Sequence, residues 1–138
     1  MFVCQANTGR SQMAAGLFKK YSKSGNADSA GTKVDPMGKT VGEKLKLIPN
    51  VQHAVDAMSE EGIDILSNER TQITQSILDK YDKIIVMAEK DTIPDWLSSS
   101  PKFEYWHIKD PLGKDLESTR TTRDEIKRKV LELIKSQK

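Results

Sequence analysis

One short apolar run near the middle of the chain constrains the fold more than any other feature. Residues 83–87 read Lys-Ile-Ile-Val-Met, a nearly continuous apolar run. Runs of this kind form strands that are buried on both faces, and such strands belong to parallel sheets covered by helices on either side. The run therefore predicts an α/β fold.

Other segments alternate between strand-like and helical patterns around this run. Further strands are predicted at residues 1–4, 28–31 and 103–106. Helices are predicted at residues 11–22, 49–62, 71–80, 93–97 and 116–136, whereas Pro36, Gly38 and Gly42 predict mostly loop at 36–48. Strands that alternate with helices predict a parallel sheet with both faces covered. We find no repeat or linker, so we expect a single domain over residues 1–138.

Charge and composition exclude several classes of partner. The net charge is +2, and no block of five or more like charges occurs, so we expect no nucleic-acid partner and no membrane surface partner. No apolar run approaches the ~20 residues that span a bilayer. The first residues lack a basic region followed by an apolar stretch, and one cysteine permits no intrachain disulfide. We therefore expect a cytoplasmic protein.

The segment with the clearest chemical potential is residues 4–11, Cys-Gln-Ala-Asn-Thr-Gly-Arg-Ser. It follows a predicted strand and precedes a predicted helix. Such a loop directs successive backbone N–H groups at one point, and the helix N-terminus adds positive potential there. We expect an anion-binding cradle formed by Gln5, Ala6, Asn7, Thr8, Gly9, Arg10 and Ser11.

Five residues of this segment have predicted roles. Arg10 can bind an oxyanion through two parallel N–H groups. Cys4, at the strand end beneath the cradle, lies beside an arginine and a helix N-terminus, a setting that favours the thiolate, and Ser11 could donate a hydrogen bond to it. Asn7 tolerates a left-handed backbone, and Gly9 is expected to relieve the same tight turn.

A structural interpretation of Cys4 competes with the catalytic one. A lone cysteine is most often a small buried apolar residue, and a cysteine six residues before an arginine also arises by chance. The context favours catalysis: a strand precedes Cys4, a serine follows Arg10, a helix follows Ser11, and Asp110-Pro111 comes just after another strand.

These features, taken in order, resemble one enzyme family. Phe2-Val3-Cys4, Asn7 and residues 10–14 resemble the signature of low-molecular-weight protein tyrosine phosphatases and of the thioredoxin-coupled arsenate reductases that share their fold. Residues 29–32, residues 61–65 and Asp110-Pro111 resemble later landmarks of that family. The resemblance implies a four-stranded parallel sheet flanked by helices. It also implies that Cys4 is the nucleophile, Arg10 the oxyanion clamp and Asp110 the general acid.

The chain departs from the family pattern at three places. Gly9 stands where many members carry a second cysteine, and Ala6 stands where a glycine is common. Residues 112–115, Leu-Gly-Lys-Asp, replace the tyrosines common in phosphotyrosine phosphatases, and together with residues 123–127 they are more similar to the arsenate reductases. Those reductases relay a disulfide through further cysteines, whereas this chain has only Cys4.

The resemblance and the residues together imply phosphomonoester hydrolysis through a Cys4-phosphate intermediate, with aryl phosphates such as phosphotyrosine favoured. No cofactor or metal is expected, because His53 and His107 lack zinc-site spacing. The alternative is reduction of arsenate, which would need an external thiol and a glutaredoxin-like partner. A third possibility is a non-catalytic binder of phosphate or phosphopeptides.

Overall fold

A four-stranded parallel sheet forms the centre of the molecule. The computed structural model describes residues 1–23, 26–111 and 113–136. The strands are β1 (Phe2–Cys4), β2 (Ser29–Gly31), β3 (Ile84–Val86) and β4 (Phe103–Tyr105), in the spatial order β2-β1-β3-β4. All adjacent strands pair in parallel, so the predicted α/β fold with a four-stranded parallel sheet is confirmed.

Helices cover both faces of this sheet. They are α1 (Arg10–Tyr21), α2 (Val41–Leu47), α3 (Val51–Ser59), α4 (Ile77–Lys80), α5 (Asp95–Ser98) and α6 (Leu116–Ser136), with a 3-10 turn at Lys90–Thr92. Side chains of α1, α3 and α6 form one apolar cluster, and those of α4 and α5 belong to a second. Among the described helices, none has both the length and the apolar character needed to cross a membrane.

The side chains of β3 divide between these two clusters. Ile85 packs with Met13 of α1 and Ile126 of α6, whereas Ile84 and Val86 pack in the cluster on the opposite face. Ile84, Ile85, Val86 and Met87 are all buried, as expected for the apolar part of residues 83–87, whereas Lys83 is exposed. Burial of an aliphatic side chain contributes about 1.5–3 kcal/mol, so this central strand anchors both layers of helices.

Helix α2 corrects the prediction that residues 36–48 are mostly loop. Thr40 caps it, because the Thr40 Oγ1 accepts a hydrogen bond from the Glu43 amide at 3.1 Å. A threonine followed three residues later by a glutamate is a capping box, and this signal outweighs the helix-breaking effect of Gly38 and Gly42. The correction matters because α2 carries Lys44 to the candidate site.

The prediction of a helix over residues 71–80 is also wrong for most of that segment, since only Ile77–Lys80 is helical. The preceding residues extend along β2: the Gly31 amide donates to the Thr71 carbonyl at 2.8 Å, and the Ile73 amide donates to the Gly31 carbonyl at 2.9 Å. Pairing with the open edge of the sheet outweighs a weak local preference for helix.

Candidate active site

The segment between β1 and α1 has its carbonyl groups bound by the surrounding structure. The Thr32 amide donates to the Cys4 carbonyl at 2.8 Å, and the Lys33 amide donates to the Gln5 carbonyl at 2.9 Å. By contrast, none of the backbone amides of residues 5–12 donates a hydrogen bond to a residue that the structure describes. A run of unpaired amides at a helix N-terminus is the arrangement that binds an anion.

Cys4 lies at the base of this loop and is 2% exposed. Its Sγ is 3.0 Å from the Ser11 Oγ, which also accepts a hydrogen bond from the Asn7 Nδ2 at 2.7 Å. Because the Ser11 hydroxyl already accepts from Asn7, its own proton is free to point at the sulfur. Asn7 has a φ of 53°, the left-handed conformation expected for this residue, and its Oδ1 accepts from the Thr71 amide at 2.8 Å.

Two glycines near the loop differ in the space that surrounds them. A Cβ atom on Gly31 would lie 2.5 Å from the Gln5 carbonyl oxygen and 3.1 Å from the Asn7 amide nitrogen, so β2 can approach the loop only with glycine there. Gly9 has a φ of −110°, and a Cβ atom there would meet nothing within 4 Å. Neither a positive φ nor a close neighbour therefore requires glycine at position 9, and the expectation that Gly9 relieves a tight turn stays a prediction.

Arg10 is 3% exposed and is fixed at the carboxyl ends of two strands. Its Nη1 donates to the Met87 carbonyl at 2.6 Å and to the Ile108 carbonyl at 2.9 Å, and its Nη2 donates to the Glu89 Oε1 at 2.7 Å. A guanidinium has five N–H donors. The Nε–H and one Nη2–H have no hydrogen-bond partner among the described residues. The edge of a guanidinium that carries Nε and Nη2 presents two parallel N–H groups, the geometry that fits two oxygens of a tetrahedral anion.

Asp110 lies at the rim of the same site. Its Oδ2 is 3.8 Å from the Arg10 Nη2, and its side chain is 48% exposed. The cap of α6 belongs to a different residue, because the Asp115 Oδ1 accepts from the Ser118 amide at 2.9 Å. That hydrogen bond holds the pKa of Asp115 below its ordinary value. Leu112, which belongs to the stretch similar to the arsenate reductases, lies outside the described residues.

A pocket of about 50 Å³ brings the predicted site residues together. It is lined by Cys4, Ala6, Thr8, Gly9, Arg10, Lys44, Asn50, Val51, Ala54, Asp110, Pro111 and Thr119. A single water needs ~10–15 Å³ by the same measure, so this volume suits a small oxyanion. No aromatic side chain is among these described lining residues. Gln5, Asn7 and Ser11, also predicted to bind substrate, do not line the pocket, although they belong to the loop that does.

Sequence reasoning did not identify Lys44 or Glu89. Glu89 follows β3 at its carboxyl end, where the functional residues of parallel sheets gather, so its position along the chain could have indicated it. Lys44 becomes visible only once α2 is recognised from the Thr40 capping box. Among the described residues, no group of three or more His, Cys, Asp or Glu side chains is arranged to hold a metal ion.

Known proteins similar to this chain belong to one family, and their names describe two kinds of activity, phosphatase and arsenate reductase. Residues 1–138 match the family model for low molecular weight phosphotyrosine protein phosphatases. A glutaredoxin arsenate reductase of Synechocystis sp. is 34% identical over 137 residues, covering 97% of this chain and 94% of its own. An arsenate reductase structure in the phosphate-binding state is 32% identical, with a TM-score of 0.75 and coverage of 99% and 95% of the two chains. A mutant of the arginine phosphatase YwlE with a phosphorylated active-site serine is 27% identical, with a TM-score of 0.77 and coverage of 98% and 92%.

Proposed function

The chain belongs to the low molecular weight phosphotyrosine protein phosphatase family, and on that premise we propose that it hydrolyses phosphomonoesters through a phosphocysteine at Cys4. One observation carries the proposal. The thiol of Cys4, the guanidinium of Arg10 and the carboxyl group of Asp110 line one pocket at the end of a run of unpaired amides. A nucleophile, an oxyanion clamp and a proton donor are the groups that covalent phosphoryl transfer requires.

The proposed reaction has two displacements at phosphorus. In the first, the Cys4 thiolate forms an S–P bond while the ester P–O bond breaks, and Asp110 gives its proton to the leaving oxygen. In the second, the Asp110 carboxylate takes a proton from a water molecule that attacks phosphorus. The S–P bond breaks, inorganic phosphate leaves, and Cys4 returns to the thiolate. Arg10 and the loop amides bind the non-bridging oxygens in both transition states.

Aryl phosphates are the preferred assay substrates, since their leaving groups need least protonation. Val51, Ala54 and Pro111 give the pocket an apolar wall for an aryl ring, although no described lining residue offers an aromatic face for stacking. We therefore extend the proposal to phosphomonoesters as a class, with phosphotyrosine as one member. The arginine phosphatase activity in the name of YwlE makes phosphoarginine a further substrate to assay.

Replacing Asp110 by asparagine should slow the hydrolysis of alkyl phosphates far more than that of nitrophenyl phosphate. A poor leaving group departs only with a proton, whereas nitrophenolate departs without one. We expect a loss of about 10²-fold or more for the alkyl ester, the usual contribution of general acid catalysis. Values of kcat/KM for a series of leaving groups measure the difference, because kcat/KM reports the first displacement and not the later attack of water, in which Asp110 also takes part. Equal slowing across the series would mean that Asp110 has only a structural role.

Arsenate reduction is the second candidate, and the names of the relatives favour it. The Synechocystis relative is called a glutaredoxin arsenate reductase, and a structural neighbour is an arsenate reductase with phosphate bound. In this reaction the Cys4 thiolate would displace water from arsenate and form an S–As bond. An external thiol would then attack the Cys4 sulfur. Arsenic would leave as arsenite with two electrons, and a mixed disulfide would remain on Cys4.

Any arsenate reduction by this chain should depend on a small external thiol. Because Cys4 is the only cysteine, no second thiol of the same chain can resolve the intermediate. We expect arsenite to form with glutathione and glutaredoxin and not with thioredoxin alone, and a trapped mixed disulfide should lie on Cys4. Repeated turnover with thioredoxin as the sole thiol source, without such a disulfide, would contradict this expectation.

Parallel assays on one preparation separate the candidates. Phosphate release without reductant supports the hydrolase, and thiol-dependent arsenite formation supports the reductase. A protein that binds phosphate or a phosphopeptide but gives neither product would be a binding module, and the proposed function would then be wrong.

A further inference from the structure

A second buried cation lines the pocket that contains Cys4 and Arg10. The Lys44 side chain is 5% exposed, and its Nζ is 2.7 Å from the Asp35 Oδ2. The same Nζ donates to the Thr8 Oγ1, within the anion-binding loop, at 3.2 Å. Lysine is rarely buried to this degree, because removing its charge from water is costly. A buried lysine at the wall of an oxyanion pocket therefore calls for an explanation beyond packing.

Lys44, Asp35 and Arg70 form a charged cluster in which both cations contact the Asp35 carboxylate. Arg70 has a structural role in it. Its side chain is fully buried, and its Nη2 lies 2.9 Å from the Asp35 Oδ2. It also donates to the Thr8 Oγ1 and to the carbonyls of Ala6, Gly38 and Asp35, at 3.1, 3.0, 2.8 and 3.4 Å respectively. These five contacts equal the number of N–H donors that a guanidinium has. Arg70 thus braces the loop from outside and has no donor left for a ligand.

The cluster carries excess positive charge, because one carboxylate faces two cations. Burial opposes the ionisation of Asp35, but hydrogen bonds from Lys44, the Met37 amide and Arg70 outweigh it and hold the pKa of Asp35 below its ordinary value. Asp35 is therefore ionised at neutral pH. It neutralises one of the two cations, which leaves about one positive charge beside the loop.

Only Lys44 can present this charge to the pocket. An ammonium group has three N–H donors, and two of those on Lys44 have partners among the described residues, Asp35 and Thr8. Lys44 lines the pocket, whereas Arg70 does not. The third N–H of Lys44 is therefore available to an anion that occupies the loop.

We propose that Lys44 is a second cationic ligand of the oxyanion in the Cys4 loop and makes the pocket selective for dianions over monoanions of the same shape. The proposal rests on the proposed function only in placing an oxyanion in that loop, and it applies equally to phosphate and to arsenate. A dianion gains about twice the Coulomb energy of a monoanion from the same cation at the same distance. A fully ionised phosphoryl or arsenate group is thus the preferred ligand.

Calorimetric binding of two tetrahedral anions tests this proposal on the full chain. Inorganic phosphate, at a mildly alkaline pH where it is a dianion, and perchlorate, a monoanion, are titrated into the wild-type protein and the Lys44→Gln variant. Glutamine keeps a polar N–H donor on a side chain one methylene shorter, but it loses the charge. We expect phosphate affinity to fall about 10- to 100-fold, the range for a hydrogen bond to a charged group, and perchlorate affinity to fall much less.

The matched control is Lys46→Gln, which removes the same charge from the same helix. Lys46 is exposed and does not line the pocket, so both anions should bind as they do to the wild type. Lys44→Arg, which keeps the charge, should retain the preference for phosphate. If Lys44→Gln weakens both anions by the same factor, Lys44 only supports the loop and the proposal is wrong.

Asp35→Asn provides a test of opposite sign and does not depend on the folding of the Lys44 variant. Asparagine is isosteric, and its single oxygen can still accept from Lys44 and Arg70, which both contact the Asp35 Oδ2, but it gives up the Met37 amide contact to Oδ1 and no longer neutralises the two cations. Removing a negative charge from beside the pocket should tighten phosphate binding even under bulk-water screening, and should tighten perchlorate binding less, because the Coulomb energy scales with the charge of the anion. Unchanged or weaker binding would overturn the proposal. These experiments measure binding and not turnover, so the two proposals can fail separately. If the chain is inactive but binds phosphate through Lys44, only the proposed function is wrong. If the chain is active but its phosphate binding does not depend on Lys44, only this inference is wrong.

Discussion

Replacing Cys4 by serine should reduce the hydrolysis of nitrophenyl phosphate by about 10⁴-fold or more. Removal of the nucleophile from a covalent mechanism leaves only the contribution of binding and oxyanion stabilisation. A serine hydroxyl at this position would meet the Ser11 hydroxyl, which lies 3.0 Å from the present sulfur and cannot act as a strong base. The new hydroxyl would therefore remain protonated and react slowly.

The fold and the anion-binding loop should survive this change, because serine differs from cysteine by one atom and can keep the contact with Ser11. Thermal unfolding and calorimetric phosphate binding of the Cys4→Ser protein serve as the controls. The related YwlE mutant with a phosphorylated active-site serine suggests a further measurement, the search for a stable phosphoserine at this position. A loss of activity below about tenfold, with folding intact, would remove Cys4 from the mechanism.

Replacing Arg10 by lysine should lower kcat by about 10²- to 10³-fold, the cost of removing one oxyanion donor from a transition state. Lysine keeps the positive charge but cannot offer the parallel Nε–H and Nη2–H pair. It also cannot bind the Met87 and Ile108 carbonyls and the Glu89 carboxylate together while still facing the pocket. Steady-state kinetics with nitrophenyl phosphate measure the loss.

Arg123→Lys is the matched control for Arg10→Lys. Arg123 is also buried, donating to the Ala57 carbonyl at 2.9 Å and to the Glu60 Oε1 at 2.6 Å, but it does not line the pocket. Both variants should lower thermal stability, because each exchanges a buried guanidinium for an ammonium with fewer donors. Only the Arg10 variant should lose kcat. Comparable kcat losses in both, or full activity in the Arg10 variant, would make Arg10 a structural cation.

The sheet and the loop were predictable because local patterns encode them. The apolar run at residues 83–87 can be buried only between two layers, and the segment at residues 4–11 places its loop between a strand and a helix. The bounds of α6 also agree with the apolar stripe of Ile126, Val130 and Leu133. In each case the information lies within a few turns of chain, so pattern and structure coincide.

The remaining features depend on contacts between distant segments. Residues 71–73 are extended because β2 offers them an edge, and no local pattern encodes that edge. The contact between Lys44 and Thr8 joins residues 36 positions apart, and the contact between Arg10 and Glu89 joins residues 79 positions apart. Helix α2 is different, since a local signal encodes it: the Thr40–Glu43 capping box favours a helix start more strongly than Gly38 and Gly42 oppose it.

Rapid quenching of the wild-type protein during turnover tests the phosphocysteine most directly. With nitrophenyl phosphate the first displacement is fast, so the second should limit turnover and the intermediate should accumulate. A burst of nitrophenol stoichiometric with the protein, together with one phosphoryl group on the peptide that contains Cys4, is the predicted result. Nitrophenol release that is linear from the first turnover, with no phosphoryl group on Cys4, would contradict covalent catalysis by this residue.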